Sequence, residues 1–157
     1  MTPALRALRP EDAEAAAALV RLAFTHTEVV PDPPLSALRE NAASILATLQ
    51  SGGGGALAEG TDGPGAVVLW QEKAGGLYFG RLAVHPDWRG YGLARALVQA
   101  AEAEARRRGL SRVWLSTRLV LAGNRRMFAA LGYTEGERHA HPGYAQPTFV
   151  DIEKSLA

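Results

Sequence analysis

The sequence contains no cysteine among its 157 residues. A disulfide scaffold, a thiolate zinc site and a cysteine nucleophile are therefore all excluded. Long apolar runs are also missing, since no stretch approaches the roughly 20 apolar residues that span a bilayer. The first helix-like segment does not resemble a signal peptide, because Glu11, Asp12 and Glu14 interrupt it and its apolar run, 15–20, is short. We therefore expect a cytoplasmic protein without a membrane partner.

The chain carries little net charge, +1 at pH 7, but the charges are unevenly distributed. The segment from Arg81 to Arg126 contains ten arginines and three acidic residues, whereas the first sixty residues contain seven acidic residues and four arginines. Because no aromatic residues alternate with the basic ones, we expect a compact polyanion as the partner of this segment, and no nucleic acid. A nucleic-acid-binding module is the alternative, and it predicts an affinity that falls steeply with salt.

Hydrophobic periodicity and turn residues predict a single domain over residues 1–157 with the element order βααβββαβαββ. In chain order we expect a strand at 4–8, a helix opened by Pro10, a proline-rich loop at 24–34, a helix that includes Leu38 and Leu49, strands at 56–59, 66–72 and 77–85, a helix at 91–108, a strand at 112–117, a short helix with Asn124 as its N-cap, and strands at 133–139 and 148–154.

A glycine-containing turn joins the predicted strand at 77–85 to the predicted helix at 91–108. The apolar strand ends at Pro86, and Gly90 and Gly92 precede the helix. Glycines there let the backbone N–H groups converge on one point, and the positive end of the helix faces the same point. Arg89 and Arg95 add permanent positive charge. The turn therefore predicts an anion site, most simply for a pyrophosphate.

The spacing Arg89-x-x-Gly92-x-Ala94 resembles the acetyl-CoA-binding motif of the GNAT superfamily of N-acetyltransferases. A later stretch, from Asn124 to Tyr133, resembles the second motif of that family. The resemblance implies the GNAT fold, an α/β (α+β) arrangement in which a mixed, mostly antiparallel sheet of about seven strands carries helices on both faces. It also implies an acetyl-CoA-dependent N-acetyltransferase, with acetyl-CoA as co-substrate.

Cofactor contacts follow from the same resemblance. The backbone of the strand before the turn would bind the pantetheine arm, and the turn itself would bind the pyrophosphate. The matching residues are Leu82, Ala83, Val84, Arg89, Gly90, Tyr91, Gly92, Leu93, Ala94 and Arg95. Asn124 would either bind the pantetheine or cap its helix.

The residues expected to act as general acid and general base depart from the pattern that the resemblance implies. Many family members carry a tyrosine that protonates the leaving thiolate, but this chain has Phe128 at that position. Tyr144 could replace it if its turn folds over the site, whereas Tyr133 is expected in the core. For the base, His139 and His141 titrate in a useful range, and we name them as catalytic candidates.

Glu28, Glu72 or an ordered water are the other options for the base. A metal site at the two histidines would need a third ligand that the spacing does not supply, so we expect none. His85, beside Pro86, is expected at the end of its strand, and Trp88 is expected either to pack in the core or to cover the cofactor.

The expected reaction moves an acetyl group from acetyl-CoA to a primary amine, in a small molecule or at a peptide N-terminus, by direct attack in a ternary complex. Glu28 and Asp32 in the proline-rich loop suggest a negative rim that favours a cationic amine. The alternative is a non-catalytic acyl-CoA sensor, favoured by Phe128 and by the absence of a glutamate at Gly80 and Arg81. A homodimer is also expected from the resemblance.

Overall fold

A computed structural model describes residues 4–157 of the chain. Its strands are β1 (Leu5–Ala7), β2 (Gly54–Glu59), β3 (Pro64–Lys73), β4 (Gly76–Val84), β5 (Arg112–Arg118), β6 (Thr134–His139) and β7 (Phe149–Ser155). Its helices are α1 (Ala13–Thr25), α2 (Ala42–Gln50), α3 (Leu93–Arg107) and α4 (Ala122–Ala130), and 3-10 turns cover Pro10–Asp12, Ser36–Arg39 and Pro86–Trp88. The predicted order of elements is confirmed. Within residues 4–157, no helix has the length and apolar character needed to cross a membrane.

The seven strands form one sheet in the order β1-β2-β3-β4-β5-β7-β6. Neighbouring strands are antiparallel except for β4 and β5, which are parallel. The predicted mixed, mostly antiparallel sheet is therefore confirmed. The central pair is parallel because α3 connects β4 to β5, and such a crossover places the second strand parallel to the first.

Both faces of the sheet are covered by helices, as predicted. One core joins α3 and α4 to side chains such as Phe79 and Val68, and the other joins α1 and α2 to side chains such as Val67. Successive residues of β3 point to opposite faces, and both faces are buried. This explains why β3 is apolar without alternation, since neither face of the strand meets water.

The second helix is shorter than predicted. Leu38 belongs to the separate 3-10 turn Ser36–Arg39 and is 39% exposed, and α2 begins only at Ala42. Asn41 accounts for the difference, because its side-chain oxygen accepts a hydrogen bond from the Ser44 N–H at 2.9 Å. An N-cap of this kind requires extended backbone at Asn41, so the helix cannot continue back to Leu38.

Asn124 is not the N-cap of its helix, so that prediction is wrong. The helix α4 begins at Ala122, with Leu121 as its N-cap. A turn in which the Leu121 N–H donates to the Arg118 carbonyl at 3.1 Å starts the helix earlier than the asparagine suggested. The side chain of Asn124 is therefore not used as a cap.

The centre of the sheet opens where β4 and β5 separate. Their pairing covers only Leu77 with Val113 and Tyr78 with Trp114, although both strands continue further. On its other side β4 has a register shift against β3, and Arg81 within it has φ +53°. An extra residue in one strand bends that strand away from its partner. The bulge at Arg81 therefore accompanies the gap between β4 and β5.

Candidate cofactor and acceptor site

The gap between β4 and β5 leads into a cavity of about 870 Å³. Its walls are the C-terminal halves of β4 and β5, the loop between α1 and α2, the glycine turn before α3, the start of α4 and the loop between β6 and β7. Gly80 to Val84 and Leu115 to Arg118 contribute from the two strands. Strand edges without a partner present free N–H and C=O groups. The cavity can therefore hold an extended chain of amides between the strands.

One end of the cavity is the glycine turn before α3, which we call the anion cradle after the ligand that the sequence predicts for it. Gly90 has φ +86° and Gly92 has φ +75°, in the region that L residues disfavour, and no atom lies within 4 Å of a Cβ added at either one. Glycine is needed there for the backbone conformation and not for space. Gly92 is the N-cap of α3 and provides no side-chain cap, so the first N–H groups of this 15-residue helix are available to a ligand.

Most, but not all, of the predicted cofactor residues line this cavity. Leu82, Ala83, Val84, Arg89, Gly90, Gly92, Leu93, Ala94 and Asn124 do so. Tyr91 instead contacts Trp88, with ring centroids 5.7 Å apart, and borders a smaller cavity of about 320 Å³. Arg95 is exposed on α3 outside the lining. Trp88 borders both cavities and packs near Gly65.

His141 is the predicted catalytic histidine that lines the cavity. Its Nδ1 is hydrogen bonded to the Thr148 hydroxyl, which also accepts from the His141 backbone N–H at 3.0 Å and donates to the His139 carbonyl. When the single proton of that hydroxyl goes to the His139 carbonyl, 3.4 Å away, Nδ1 of His141 is the donor and Nε2 keeps its lone pair. Burial, and then the charge of Arg118, lower the pKa of His141 below 6.5. A neutral ring with a free lone pair is a proton acceptor.

The other two catalytic candidates lie outside the lining. His139 pairs with Asp151, Nε2 to Oδ2 at 2.8 Å, and Asp151 also accepts from Ser116 at 2.8 Å. The Tyr144 hydroxyl donates to Asp32 at 2.5 Å, which raises the pKa of Tyr144. This hydrogen bond joins the β6–β7 loop to the proline-rich loop across 112 positions of the chain. Tyr144 therefore folds toward the site without lining it.

Phe128 is 3% exposed and packs against Tyr133, with ring centroids 5.7 Å apart. Tyr133 is 5% exposed and donates to Glu102 at 2.7 Å, so its predicted core position is confirmed. Neither residue offers a hydroxyl to the cavity.

Tyr78 does offer a hydroxyl, and sequence reasoning missed it. It lines the cavity at the last β4–β5 pair, and its oxygen lies 3.3 Å from a Cβ added at Gly80. Burial raises the pKa of Tyr78, which keeps the phenol protonated. The register of β4 against β5 was the signal that could have identified it, and that register is a tertiary property.

The acidic candidates are dispersed. Glu28 is exposed and lines the cavity, whereas Glu72 lies at the far end of β3, 3.5 Å from Arg108. His85 follows β4 and accepts from the Asp87 N–H at 3.0 Å, as expected of a residue at the end of a strand.

The predicted negative rim is wrong. One carboxylate and four arginines line the cavity: Glu28, Arg39, Arg81, Arg89 and Arg118. Among residues 4–157, no cluster of three histidine or acidic side chains is arranged to hold a metal ion.

Comparisons with solved structures give the same architecture. The chain is similar to yncA of Salmonella typhimurium, a candidate acetyltransferase solved with its cofactor acetyl-CoA, at a TM-score of 0.74 and 18% identity, covering 100% of this chain and 95% of that one. It is also similar to the ribosomal-protein-S18-alanine N-acetyltransferase of Escherichia coli, at 0.76 and 20% identity over 98% and 94% of the two chains. An N-acetyltransferase of Staphylococcus aureus Mu50 gives 0.78 and 16% identity over 100% of both.

Sequence comparison identifies the family. No curated protein matches the chain. The family model for the acetyltransferase (GNAT) family matches residues 20–133, which include β4, the glycine turn, α3 and α4. The chain therefore belongs to the GNAT acetyltransferase family, which uses acetyl-CoA as its co-substrate.

Proposed function

We propose that this protein transfers the acetyl group of acetyl-CoA to a primary amine, in a small molecule or at a peptide N-terminus, by direct attack in a ternary complex. One observation carries the proposal. Because β4 and β5 stop pairing after Tyr78, a single cavity opens between them and reaches from the anion cradle before α3 to His141. A cofactor that ends in phosphates and an acceptor that must lose a proton can therefore share one site.

The residues of the cavity fit acetyl-CoA. The free N–H groups of Gly92 to Ala94 suit its pyrophosphate, and the exposed Arg89 adds charge beside them. The edge of β4 from Leu82 to Val84 suits the amides of the pantetheine arm, and an N–H there can stabilise negative charge on an acyl oxygen. When bound, the co-substrate supplies an acetyl group activated as a thioester.

His141 takes the proton of the amine in this proposal. Its lowered pKa means that the imidazole is already neutral at pH 7 and available as a base. The hydrogen bond between Nδ1 and Thr148 holds the ring, and in this proposal Nδ1 is the donor, so that the basic lone pair lies at Nε2.

Tyr78 returns a proton to the leaving thiolate. It takes the role that Phe128 cannot fill, because its phenol lines the cavity and remains protonated. A positioned acid contributes roughly 10²- to 10⁴-fold. The thiol has a pKa of about 8.5, so its thiolate can also leave slowly without help. Loss of the phenol should therefore slow the reaction without abolishing it.

A panel of amines and short peptides, with acetyl-CoA and detection of free thiol, tests the proposal. We expect release of thiol with at least one acceptor, a loss of 10²-fold or more in His141→Gln, and a smaller loss in Tyr78→Phe. Binding of acetyl-CoA without thiol release across the panel would favour the non-catalytic sensor, which Phe128 supports. Calorimetry with CoA checks that each variant still binds the cofactor.

A further inference from the structure

Arg118 is a cation of the cavity without a carboxylate partner. It ends β5, and its guanidinium donates to the carbonyls of Pro33 at 2.5 Å and Pro34 at 3.1 Å. In residues 4–157 the structure places no acidic side chain in contact with it. Arg81, by contrast, lines the same cavity and is paired with Glu40 at 2.7 Å. The direct hydrogen-bond partners of Arg118 are thus neutral oxygens, and Asp32 acts on its charge only through space.

Such an arrangement has a free-energy cost. Burial disfavours the charged form and lowers the pKa of Arg118. Asp32 is the acid whose field acts on it, but the Asp32 carboxylate accepts the Tyr144 hydroxyl instead of pairing with the arginine. The two proline carbonyls take two of the five guanidinium N–H groups, which leaves three for another acceptor. A guanidinium fork with free donors in a cavity suits a carboxylate.

Arg118 also lies close to the proposed base. The β5–β7 register pairs Arg118 with Phe149, and the ring of Phe149 lies 4.9 Å from that of His141, centroid to centroid. Arg118 and His141 are therefore both neighbours of Phe149, one across the strand pair and the other ring to ring, and both line the cavity. Apolar side chains, including Phe24 and Leu35, line the same cavity.

We propose that Arg118 binds a carboxylate of the acceptor, so that the preferred acceptor is an amine that also carries a carboxylate, such as an amino acid with an apolar side chain. This inference rests on the proposed acetyl transfer and narrows its substrate class. The carboxylate neutralises the charge of Arg118 while the amine lies toward His141. Glu28 is the single carboxylate in the lining, so few acidic groups of the cavity would repel the carboxylate of such an acceptor.

A purely structural role is the competing explanation. The bonds to Pro33 and Pro34 tether the proline-rich loop, and this tether alone could explain the arginine. A tether acts equally on every acceptor, whereas a binding site discriminates acceptors by their carboxylate. The experiment must therefore compare ligands that differ only in that group.

Binding without turnover gives the first test. The probes are N-acetyl-L-leucine and N-acetyl-L-leucinamide, which differ only in carboxylate against neutral amide, titrated into the wild-type protein and followed by NMR. We expect the carboxylate probe to bind at least tenfold more tightly and to raise the pKa of His141 as it neutralises Arg118. Equal affinity of the two probes for the wild-type protein would overturn the proposal, and this comparison needs no variant.

Kinetics gives the second test. L-leucine and L-leucinamide are compared as acceptors in wild type, Arg118→Gln and Arg118→Lys, because the ratio between variants cancels the intrinsic reactivity of each amine. We expect kcat/KM for leucine to fall about 10- to 100-fold in Arg118→Gln, the range of a lost charged hydrogen bond. Leucinamide should change less than threefold, and Arg118→Lys should recover part of the leucine activity.

An equal loss for both acceptors would indicate a tether and overturn the carboxylate site. Absence of thiol release with every amine would refute the transferase and not this site, because the NMR comparison decides the site independently. The KM for acetyl-CoA and the thermal melting curve verify that the variants are folded.

Discussion

Arg81 and Glu40 form an ion pair, Nε to Oε2 at 2.7 Å, between the bulge of β4 and the residue that precedes the N-cap of α2. Glu40 is 8% exposed and also accepts a hydrogen bond from Ser44. The pair connects the bulge of β4, which accompanies the opening of the cavity, to the segment that leads into α2. Gly80 and Arg81 are the strand positions at which the family resemblance led us to expect a glutamate, and this chain places an acid beside the bulge from another element.

The first prediction separates the ion pair from the backbone conformation at Arg81. Its φ of +53° costs a non-glycine residue about 1–2 kcal/mol. Arg81→Gly loses the pair but relieves the backbone, whereas Arg81→Ala loses the pair and keeps the strain. We expect urea unfolding to show Arg81→Ala as less stable than Arg81→Gly by about 1 kcal/mol. Equal stability of the two variants would contradict this account of the bulge.

A second prediction concerns the glycine turn. Gly92→Ala places a Cβ at φ +75° and should weaken CoA binding, because the first N–H groups of α3 would shift. Gly136→Ala is the matched control, since a Cβ there meets only Asp151 O at an ordinary 3.6 Å. We expect calorimetry to show at least a tenfold higher Kd in Gly92→Ala and an unchanged Kd in Gly136→Ala. A similar Kd in both would mean that the turn does not bind phosphate.

The two arginines of the motif provide a third prediction. Arg89 lines the cavity, whereas Arg95 is exposed on α3 outside it. Arg89→Ala should therefore raise the Kd for CoA about tenfold, in the range of one charged hydrogen bond, and Arg95→Ala should raise it less. Titrations at two salt concentrations check whether each loss is electrostatic. A larger effect of Arg95→Ala than of Arg89→Ala would contradict the assignment made from the cavity lining.

The fourth prediction is a pH dependence at His141. Burial and the charge of Arg118 lower its pKa, so the imidazole should titrate below pH 6.5 and be neutral above it. NMR titration measures this midpoint directly, and kcat/KM should decline as pH falls through it. Arg118→Gln removes the nearby positive charge and should move the midpoint upward. A midpoint unaffected by Arg118→Gln would show that the two groups are not coupled.

The fifth prediction concerns stability. Tyr133→Phe removes the hydroxyl that donates to the 6% exposed Glu102, leaving that carboxylate with Lys154 at 3.3 Å. We expect a loss of about 1–3 kcal/mol in the free energy of unfolding. Tyr91→Phe, at a 51% exposed position, is the control and should change little.

Burial and the hydrogen bond to Glu102 raise the pKa of Tyr133. The folded state therefore favours the protonated phenol, and its contribution is complete below about pH 10 and is lost as the pH rises. Wild type and Tyr133→Phe should accordingly converge in stability at alkaline pH. A difference that persists there would contradict the hydrogen bond as its source.

Much of the fold could be predicted because its signals are local. The apolar run of β3 and the glycines before α3 can each be recognised from a short stretch of sequence. The lack of a long apolar segment is equally visible without any knowledge of tertiary contacts. Where local signals compete, prediction was less accurate: Asn41 displaced the start of α2, and a turn at Leu121 replaced Asn124 as the cap of α4.

The sequence by itself determined the order of the elements, the glycine turn and the resemblance to GNAT enzymes, because these depend on backbone preference and periodicity over short stretches. Only the tertiary structure decided that Tyr78 and His141 line the cavity whereas His139 pairs with Asp151. It also decided that Arg118 donates to the carbonyls of Pro33 and Pro34, which lie 85 and 84 positions earlier in the chain. Register across the sheet and the path of two long loops bring these side chains together. Neither is encoded in the spacing of neighbouring residues, and both follow from the burial of two cores at once.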